Sequence, residues 1–351
     1  GTNAAISGTN QVKSFTSTGF TVGTDDKVNE TGKTYVSWTF KEKAKFFDIV
    51  SYTGNGQDTT VSHNLGSIPG AILIKELQTN ADWNMYHRRN ATSTAASATD
   101  HQIWNSANQG PTDELMFQDT PPTDSVFYLS SHSGVNESNK TYIAYIFGHQ
   151  EPDDDDPVIA CGYYTGTGQG DPKTVPFVEL GFEPQWIYYR RLYAQAGGEN
   201  GHPGAIFDTM RGLVNGASSQ TSSIDKYLLP SETTAENTNS ASSYMGQNID
   251  YFQIRPNGFQ PSSNATRVNM NNERYHYIAI KGGPLAKPTA GTQLLTIDEI
   301  GLPDDWNNST APYTQGNHIV DLAITETSST TKNTFFTRML GTRVLNTHEV
   351  D

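Results

Sequence analysis

One stretch decides the fold because it recurs: residues 135–145 read VNESNKTYIAY. Residues 28–38 read VNETGKTYVSW, and the two copies align over their whole length with no gap. A looser third copy runs from Val268-Asn269 to Tyr277-Ile278-Ala279, with two residues inserted. In each copy a polar, Asn-rich segment leads into β-branched and aromatic residues, which is typical of a turn followed by a strand. Internal repetition of this kind predicts a chain built of modules.

A second repeated unit opens the modules. Residues 52–57 read YTGNGQ and residues 164–169 read YTGTGQ. Each is followed by a Leu-Gly-x-x-Pro element, which ends at Pro69 in one copy and at Pro184 in the other, and then by an apolar run. The predicted order is strand, Gly-rich turn, strand, Pro corner, central strand, a variable middle, and a closing Tyr-Ile-Ala strand.

The two units divide the chain. Residues 1–48 are the closing half of a first β module, because no Tyr-Thr-Gly unit opens it. Residues 49–150 form a second module, 151–157 an acidic linker flanked by prolines, 158–283 a third module with long insertions, and 284–351 a further β segment that could begin another domain. The half module leads us to expect an excerpt of a longer polypeptide.

Short strands separated by Gly, Asn, Pro and Ser turns recur along the chain, and no window holds a helical period over three turns. The nearest approach to a helix is a turn or two over residues 41–47. We therefore predict an all-β fold of tandem β-sandwich or jelly-roll-like modules with few helices.

Charge and composition exclude several classes of function. The 351 residues carry 23 Lys and Arg against 37 Asp and Glu, a net charge of −14, and only 17% of residues are charged. An acidic chain without a basic stripe repels phosphate, so no nucleic-acid partner is expected. No run approaches the ~18 apolar residues of a membrane helix, so no membrane insertion is expected either.

We find no catalytic signature, and we expect no enzyme activity, no catalytic residue and no cofactor. The single cysteine, Cys161, lies in the apolar run VIACG and is expected to be buried. The nine histidines show no metal-binding spacing, and each is expected at the surface or in a turn. Asp208 and Asp250 stand beside apolar residues, as a glycosidase pair would, but nothing in the sequence fixes their separation.

The clearest charge cluster is EPDDDDP at residues 151–157. A calcium loop alternates its acidic ligands so that the chain can wrap the ion, whereas these acids are consecutive. A stiff, extended linker that repels itself explains the run better, and we predict no metal site. The weak candidates for a cation are Asp153, Asp154, Asp155 and Asp156.

Aromatic residues beside polar ones are the remaining candidates for a binding surface. Such residues make sugar-binding platforms, because their ring faces pack on the C–H groups of a pyranose. The alternative, favoured by the strand-like run at 186–188, is that they fill sandwich cores or subunit contacts. The candidates for contact with a glycan or receptor are Trp83, Tyr86, His87, Trp104 and Tyr193.

Together the two units resemble modules in virion structural proteins of tailed bacteriophages, especially the large proteins of marine and cyanobacterial phages. The resemblance extends over residues 1–150 and, more loosely, over 158–283, where insertions near 214–248 depart from it. The stretches that carry it are GFTVG at 19–23, VN at 28–29, TYVSW at 34–38, YTGNG at 52–56 and LGSIPG at 65–70.

The resemblance implies an appendage on the surface of a virion, a tail fibre or adsorption structure that contacts the host and is made in the host cytoplasm. The partners it implies are further copies of the chain, with a trimer as one arrangement, other virion proteins, and a glycan or protein of the host surface. It supplies no catalytic residues. A head fibre or capsid decoration, a carbohydrate-binding adhesin and a tailspike polysaccharide depolymerase stay open as alternatives.

Overall fold

The computed structural model describes residues 5, 11–17, 19–33, 35, 37–90, 101–106, 115–168, 174–192, 204–209, 213, 227–230, 251–261 and 266–282, and the strand segments 322–326, 333–337 and 344–346. Their secondary structure consists of nineteen strands and three helices of four residues each. All strand pairs are antiparallel in this part of the chain, and the predicted all-β fold with few helices is confirmed.

The first segment contains a hairpin and one helical turn. Its elements are β1 (Val12–Phe15), β2 (Phe20–Val22) and α1 (Asp26–Asn29). The turn or two suggested over 41–47 is a single turn at residues 44–46, and the described helices lie instead at the repeated motif.

The second module is a sandwich of a large and a small sheet. The large sheet has the strand order β3-β9-β5-β6-β7, and β4 pairs with β8 in the small one. The elements are β3 (Phe47–Thr53), β4 (Thr59–Ser62), β5 (Ala71–Glu76), β6 (Trp83–His87), β7 (His101–Ile103), β8 (Val126–Leu129), α2 (Ser133–Asn136) and β9 (Thr141–Phe147).

The third module repeats this plan. Its large sheet has the order β10-β16-β12-β13 and its small sheet the order β11-β15-β14. The elements are β10 (Ile159–Thr165), β11 (Val178–Glu179), β12 (Pro184–Arg191), β13 (Ala205–Asp208), β14 (Phe252–Arg255), β15 (Gly258–Pro261), α3 (Thr266–Asn269) and β16 (Arg274–Lys281). In both modules the opening strand pairs with the closing strand, which pairs with the strand that follows the Pro corner.

The two modules pack against each other through their large sheets. Side chains alternate along β9, so Tyr142, Ala144 and Ile146 fill the module's own core, while Tyr145 and Phe147 reach a cluster shared with the third module. Leu73 of β5 and Ile278 of β16 belong to that shared cluster. All six residues of β5 are buried, because both faces of the sheet are covered.

The acidic segment 151–157 connects β9 to β10, but it is not extended. Residues 152–156 form turns and bends, and Pro157 is buried. The Asp154 carboxylate accepts a hydrogen bond from the Glu151 amide at 2.9 Å, and Lys281 Nζ lies 2.6 Å from Asp156 Oδ1. The expectation of a stiff, extended linker is therefore wrong, because local hydrogen bonds and a lysine offset the repulsion between the carboxylates.

The remaining strands form a separate sheet. Contacts group residues 1–213 and 220–281 in one compact unit, and 214–219 and 282–351 in another. In the second unit β17 (Leu322–Glu326), β18 (Asn333–Thr337) and β19 (Val344–Asn346) pair in chain order. The further β segment expected over 284–351 thus contains three strands in its described part.

Candidate functional site

The repeated closing motif is a compact hydrogen-bonded unit. In the second module its helical turn α2 is followed by Asn139, whose backbone adopts the left-handed conformation with φ of 63°. The Tyr142 hydroxyl then folds back on this turn: it donates to the carbonyl of Ser133 and accepts from the amide of Glu137, both at 2.8 Å. Burial raises the pKa of Tyr142 to about 12, so the hydroxyl keeps its proton.

The opening unit docks on this motif. Tyr52 stacks on Tyr142 with ring centroids 5.2 Å apart, and its hydroxyl donates to the carbonyl of Val135 at 2.7 Å. The Asn55 amide donates to Asn136 Oδ1 at 2.9 Å. Position 54 must be glycine, because a Cβ there would lie 2.2 Å from the carbonyl oxygen of Glu137. The two repeated sequence units are thus the two halves of one interlocking contact.

The third module repeats the contact almost atom for atom. Tyr164 stacks on Tyr275 at 5.0 Å, and the Thr167 amide donates to Asn269 Oδ1 at 2.8 Å. Tyr275 accepts from the amide of Met270 at 3.0 Å, as Tyr142 does from Glu137. Tyr275, and not Tyr277, is therefore the counterpart of Tyr142, and the third copy aligns without the two inserted residues that the Ile-Ala run suggested.

Removing the tyrosine hydroxyl tests this unit in three matched places. We expect Tyr142→Phe and Tyr275→Phe each to lower the free energy of unfolding by about 1–3 kcal/mol, because a buried tyrosine loses the hydroxyl that bonds to the backbone of the turn. Tyr35→Phe makes the same change in the first copy, where the side chain is 48% exposed and water can replace the bond. There we expect a loss below about 0.5 kcal/mol. Urea unfolding measures all three, and equal losses would contradict the assignment.

A cluster of buried polar groups lies where the two large sheets meet. The rings of His87 and His276 are 4.4 Å apart, and neither side chain is exposed to solvent. His87 Nε2 donates to the carbonyl of Tyr277 at 3.1 Å, while its Nδ1 accepts from the amide of Arg89 at 3.1 Å. His276 Nδ1 donates to Asn90 Oδ1 at 3.0 Å. The bond that His87 accepts from Arg89 requires the neutral form of that ring.

Burial lowers the pKa of both histidines. The pKa of His87 falls to about 3, and the charges of Arg88, His149 and Arg89 act in the same direction. The pKa of His276 also falls well below its ordinary value, through burial first and then through the charges of His87 and Arg190. Both rings are therefore uncharged at neutral pH.

Arg190 also joins the two modules in this region. Its side chain is fully buried on β12 of the third module, and it donates to two carbonyls of the second, Ile103 at 2.6 Å and Ser106 at 2.9 Å. Burial lowers the pKa of the guanidinium. The neighbouring Tyr188 packs edge-on against Trp104 with ring centroids 5.8 Å apart.

An apolar cavity of about 130 Å³ lies within this interface. Leu73 and Met85 of the second module and Ile206 and Ile278 of the third contribute to its walls. The aromatic residues of its lining are Trp38, Phe40, Phe147, Trp104, Trp186 and Tyr188.

The structure places the predicted receptor-contact residues mainly inside the protein. Tyr86 is 2% exposed and packs on Phe117 in the core of the second module, and His87 lies in the interface between modules. Because packing buries both side chains, neither is placed to contact a receptor as predicted. Trp83 and Trp104 are half-buried and contact each other at 6.0 Å, and Tyr193 lies outside the described residues.

The expectation of surface histidines is also wrong for much of the chain. Of the histidines that the structure describes, four are at most 5% exposed: His63, His87, His101 and His276. Cys161 is buried as predicted, and its thiol donates to the carbonyl of Gly148 at 3.3 Å. Burial raises the pKa of that thiol.

The candidate acidic residues are not assembled into a site in the described part of the chain. Asp208 is buried, and its carboxylate accepts from the indole N–H of Trp38 at 3.1 Å, whereas Asp250 lies outside the described residues. Asp153, Asp154, Asp155 and Asp156 are exposed. Among the described residues no three His, Cys, Asp or Glu side chains come together as metal ligands would.

A polar groove of about 520 Å³ lies on the surface of the second module. Leu115, Gln118 and Asp119 line it, and all three have positive φ angles, between 47° and 54°. Such backbone strain concentrates at functional sites. Asp58, Ser130, Ser131 and His132 complete the described lining.

Fold and geometry define the class: an all-β protein of repeated modules, each closed by an interlocking motif and joined through a buried polar and aromatic interface. Residues 2–284 match the model of a protein family described as a domain of unknown function, DUF7483. The chain belongs to this family. The match ends close to the end of β16, so it takes in the first segment and both modules.

No curated protein and no solved structure matches the chain. In the described part of the chain, no helix has both the length and the apolarity to cross a membrane.

Proposed function

We propose that the chain is a structural component of a bacteriophage virion, a tail fibre or related adsorption appendage, without catalytic activity of its own. The observation that carries the proposal is the burial of polar and aromatic side chains between the two modules. His87, His276, Arg190 and Tyr188, which would be the reactive groups of an enzyme site, are all buried between the modules. There His87 and Arg190 bond to backbone carbonyls, and His276 bonds to the side chain of Asn90.

This construction suits a rigid building block. Two sandwiches that share a covered interface cannot rotate independently, as modules on a flexible linker would. The free cysteine is buried, so the protein relies on packing for its stability. The resemblance of both sequence units to virion modules supports the same role, with the host surface and other virion proteins as partners.

Location on the particle tests the proposal. Antibodies against the purified chain should label gradient-purified particles of the source phage in immunogold electron microscopy, at the tail for a fibre and at the capsid for a head decoration. Peptides from residues 37–90 should also appear in mass spectra of those particles. Absence of label and peptides from intact particles, with the chain found only in the unassembled fraction of the lysate, would refute the proposal.

A second candidate, a carbohydrate-binding adhesin, is favoured by the polar groove alone. Asp58 and Asp119 offer carboxylate acceptors beside the exposed Leu115, the mixture of polar and apolar contacts that sugars use. Glycan arrays probed with the chain and with the Asp119→Ala variant would decide it. A signal that disappears in the variant supports the adhesin, and an empty array removes it.

A further inference from the structure

The first segment, residues 11–40, repeats the closing half of a module in three dimensions as well as in sequence. Its hairpin of β1 and β2 corresponds to the hairpin of β14 and β15 in the third module, with Gly19-Phe20 at the place of Gly258-Phe259. The Tyr35 hydroxyl donates to the carbonyl of Asp26 at 2.8 Å and accepts from the amide of Glu30 at 2.9 Å. This is the same fold-back that Tyr142 makes, so the motif is formed.

The face that is buried in the third module is exposed in the first segment. Phe20 is 36% exposed where Phe259 is 0%, Tyr35 is 48% exposed where Tyr275 is 0%, and Phe15, at 83%, lies at the position of the buried Ile254. Clustered exposure of large apolar side chains marks interaction surfaces. The exposed large apolar residues of this segment are Val12, Phe15, Phe20, Val22, Tyr35 and Trp38.

The complete modules show what covers this face. In the third module the opening strand supplies Tyr164, which stacks on Tyr275, and β11 pairs with β15 at Val178 and Phe259. In the second module Asn55 donates to Asn136 Oδ1. The corresponding groups of the first segment are Tyr35, the outer edge of β2 and Asn29 Oδ1, and no described residue bonds to that oxygen.

The opening halves within the chain are already engaged. β3 pairs with β9 over seven residues, and β10 pairs with β16 over seven. A second copy of this chain would have to break one of these pairings to supply its own opening half. Residues 284–351 contain neither the Tyr-Thr-Gly-x-Gly unit nor the Leu-Gly-x-x-Pro element.

We infer that residues 11–40 form a docking face for an opening half of the same module type, supplied by a polypeptide segment outside residues 1–351. The incoming segment carries a Tyr-Thr-Gly-x-Gly-Gln unit: its tyrosine stacks on Tyr35, the amide that follows its first glycine donates to Asn29 Oδ1, and its second strand pairs with β2. The inference concerns one face of the chain and holds whether or not the protein is a virion component.

The test adds an opening half to the intact chain as a separate peptide. The probe is a fluorescein-labelled peptide with the sequence of residues 49–70, which contains most of β3, all of β4 and the Pro corner. We expect saturable binding in fluorescence anisotropy. Binding should weaken by about tenfold or more in the Phe20→Ser/Tyr35→Ser variant, because the aromatic contacts are lost. The matched control is Tyr163→Ser, which removes a tyrosine that is 42% exposed outside this face and should leave binding unchanged.

The peptide carries its own control. Replacement of its glycine at position 54 by valine should abolish docking, because a Cβ at that position meets a backbone oxygen in the second module. Equal binding by the valine peptide, equal binding by the double variant, or no binding by the folded wild-type chain would each overturn the inference. So would a dimer in sedimentation that Phe20→Ser dissociates, because the occupant would then be a second copy. None of these outcomes bears on whether the chain is found on particles.

Discussion

Acidification from about pH 7.5 to about pH 5 is expected to lower the free energy of unfolding by roughly 2 kcal/mol through His87, and His276 acts in the same direction. Burial holds the pKa of His87 at about 3 and that of His276 well below its ordinary value, whereas an unfolded histidine titrates near 6.5. Below pH ~6.5 the unfolded chain therefore binds protons that the folded chain does not. The stability is present in full above that pH and is lost as the pH falls.

The geometry explains why the folded protein resists protonation. A proton on Nδ1 of His87 would displace the amide of Arg89. If both rings were protonated, two cations would lie with their ring centroids 4.4 Å apart. Arg88, Arg89, His149 and Arg190 add further positive charge around the pair. Protonation therefore separates the modules or unfolds them.

Two variants isolate the pair from the other histidines. His87→Gln and His276→Gln keep a polar side chain but cannot titrate. Each should therefore reduce the pH dependence of the free energy of unfolding by the contribution of one histidine. Urea unfolding followed by tryptophan fluorescence, at constant ionic strength, measures the slope. Some dependence should persist, because burial also lowers the pKa of His63 and of His149. If both variants keep the full wild-type slope, the pair is not its origin.

The local pattern was readable in the sequence, and the long-range packing was not. The Tyr-Thr-Gly and Asn-Lys-Thr-Tyr units each depend on neighbours along the chain, so their recurrence predicted two modules and the strand that follows each turn. The third copy was misaligned by two residues because Ile278-Ala279 imitates the Ile-Ala of the second module. The hydroxyl of Tyr275, bonded back to Met270, and the stacking of Tyr164 on Tyr275 identify the correct register.

The interface between the modules is harder to predict from the sequence. Strands buried on both faces appear as continuous apolar runs, which the sequence of β5 shows, but nothing in such a run says what covers the second face. His87 was expected at the surface because isolated polar residues usually lie there, and nothing in the sequence marked Arg190 as buried. Their partners stand 190 and 87 positions away, at Tyr277 and Ile103, and no local pattern records a pairing at that distance.

Replacing Arg190 by methionine is expected to lower the free energy of unfolding by about 2–4 kcal/mol. Two half-buried carbonyls, those of Ile103 and Ser106, lose the hydrogen bond from the guanidinium, and each such loss costs roughly 1–3 kcal/mol. Methionine fills much of the same volume, and removal of a buried charge recovers part of the cost. The net change stays unfavourable because no other side chain is in place to donate to the two carbonyls.

The surface variant Arg88→Met provides the comparison. Arg88 is 27% exposed and lies 3.6 Å from Glu151, an arrangement worth at most about 1 kcal/mol. Arg190→Lys should fall between the two, because one ammonium can reach one carbonyl but cannot span both as the guanidinium does. If Arg190→Met unfolds at the same urea concentration as the wild type, or at a higher one, the buried guanidinium costs more than its two hydrogen bonds return. The contact between the modules would then depend on the shared apolar cluster and on the hydrogen bonds of His87 and His276.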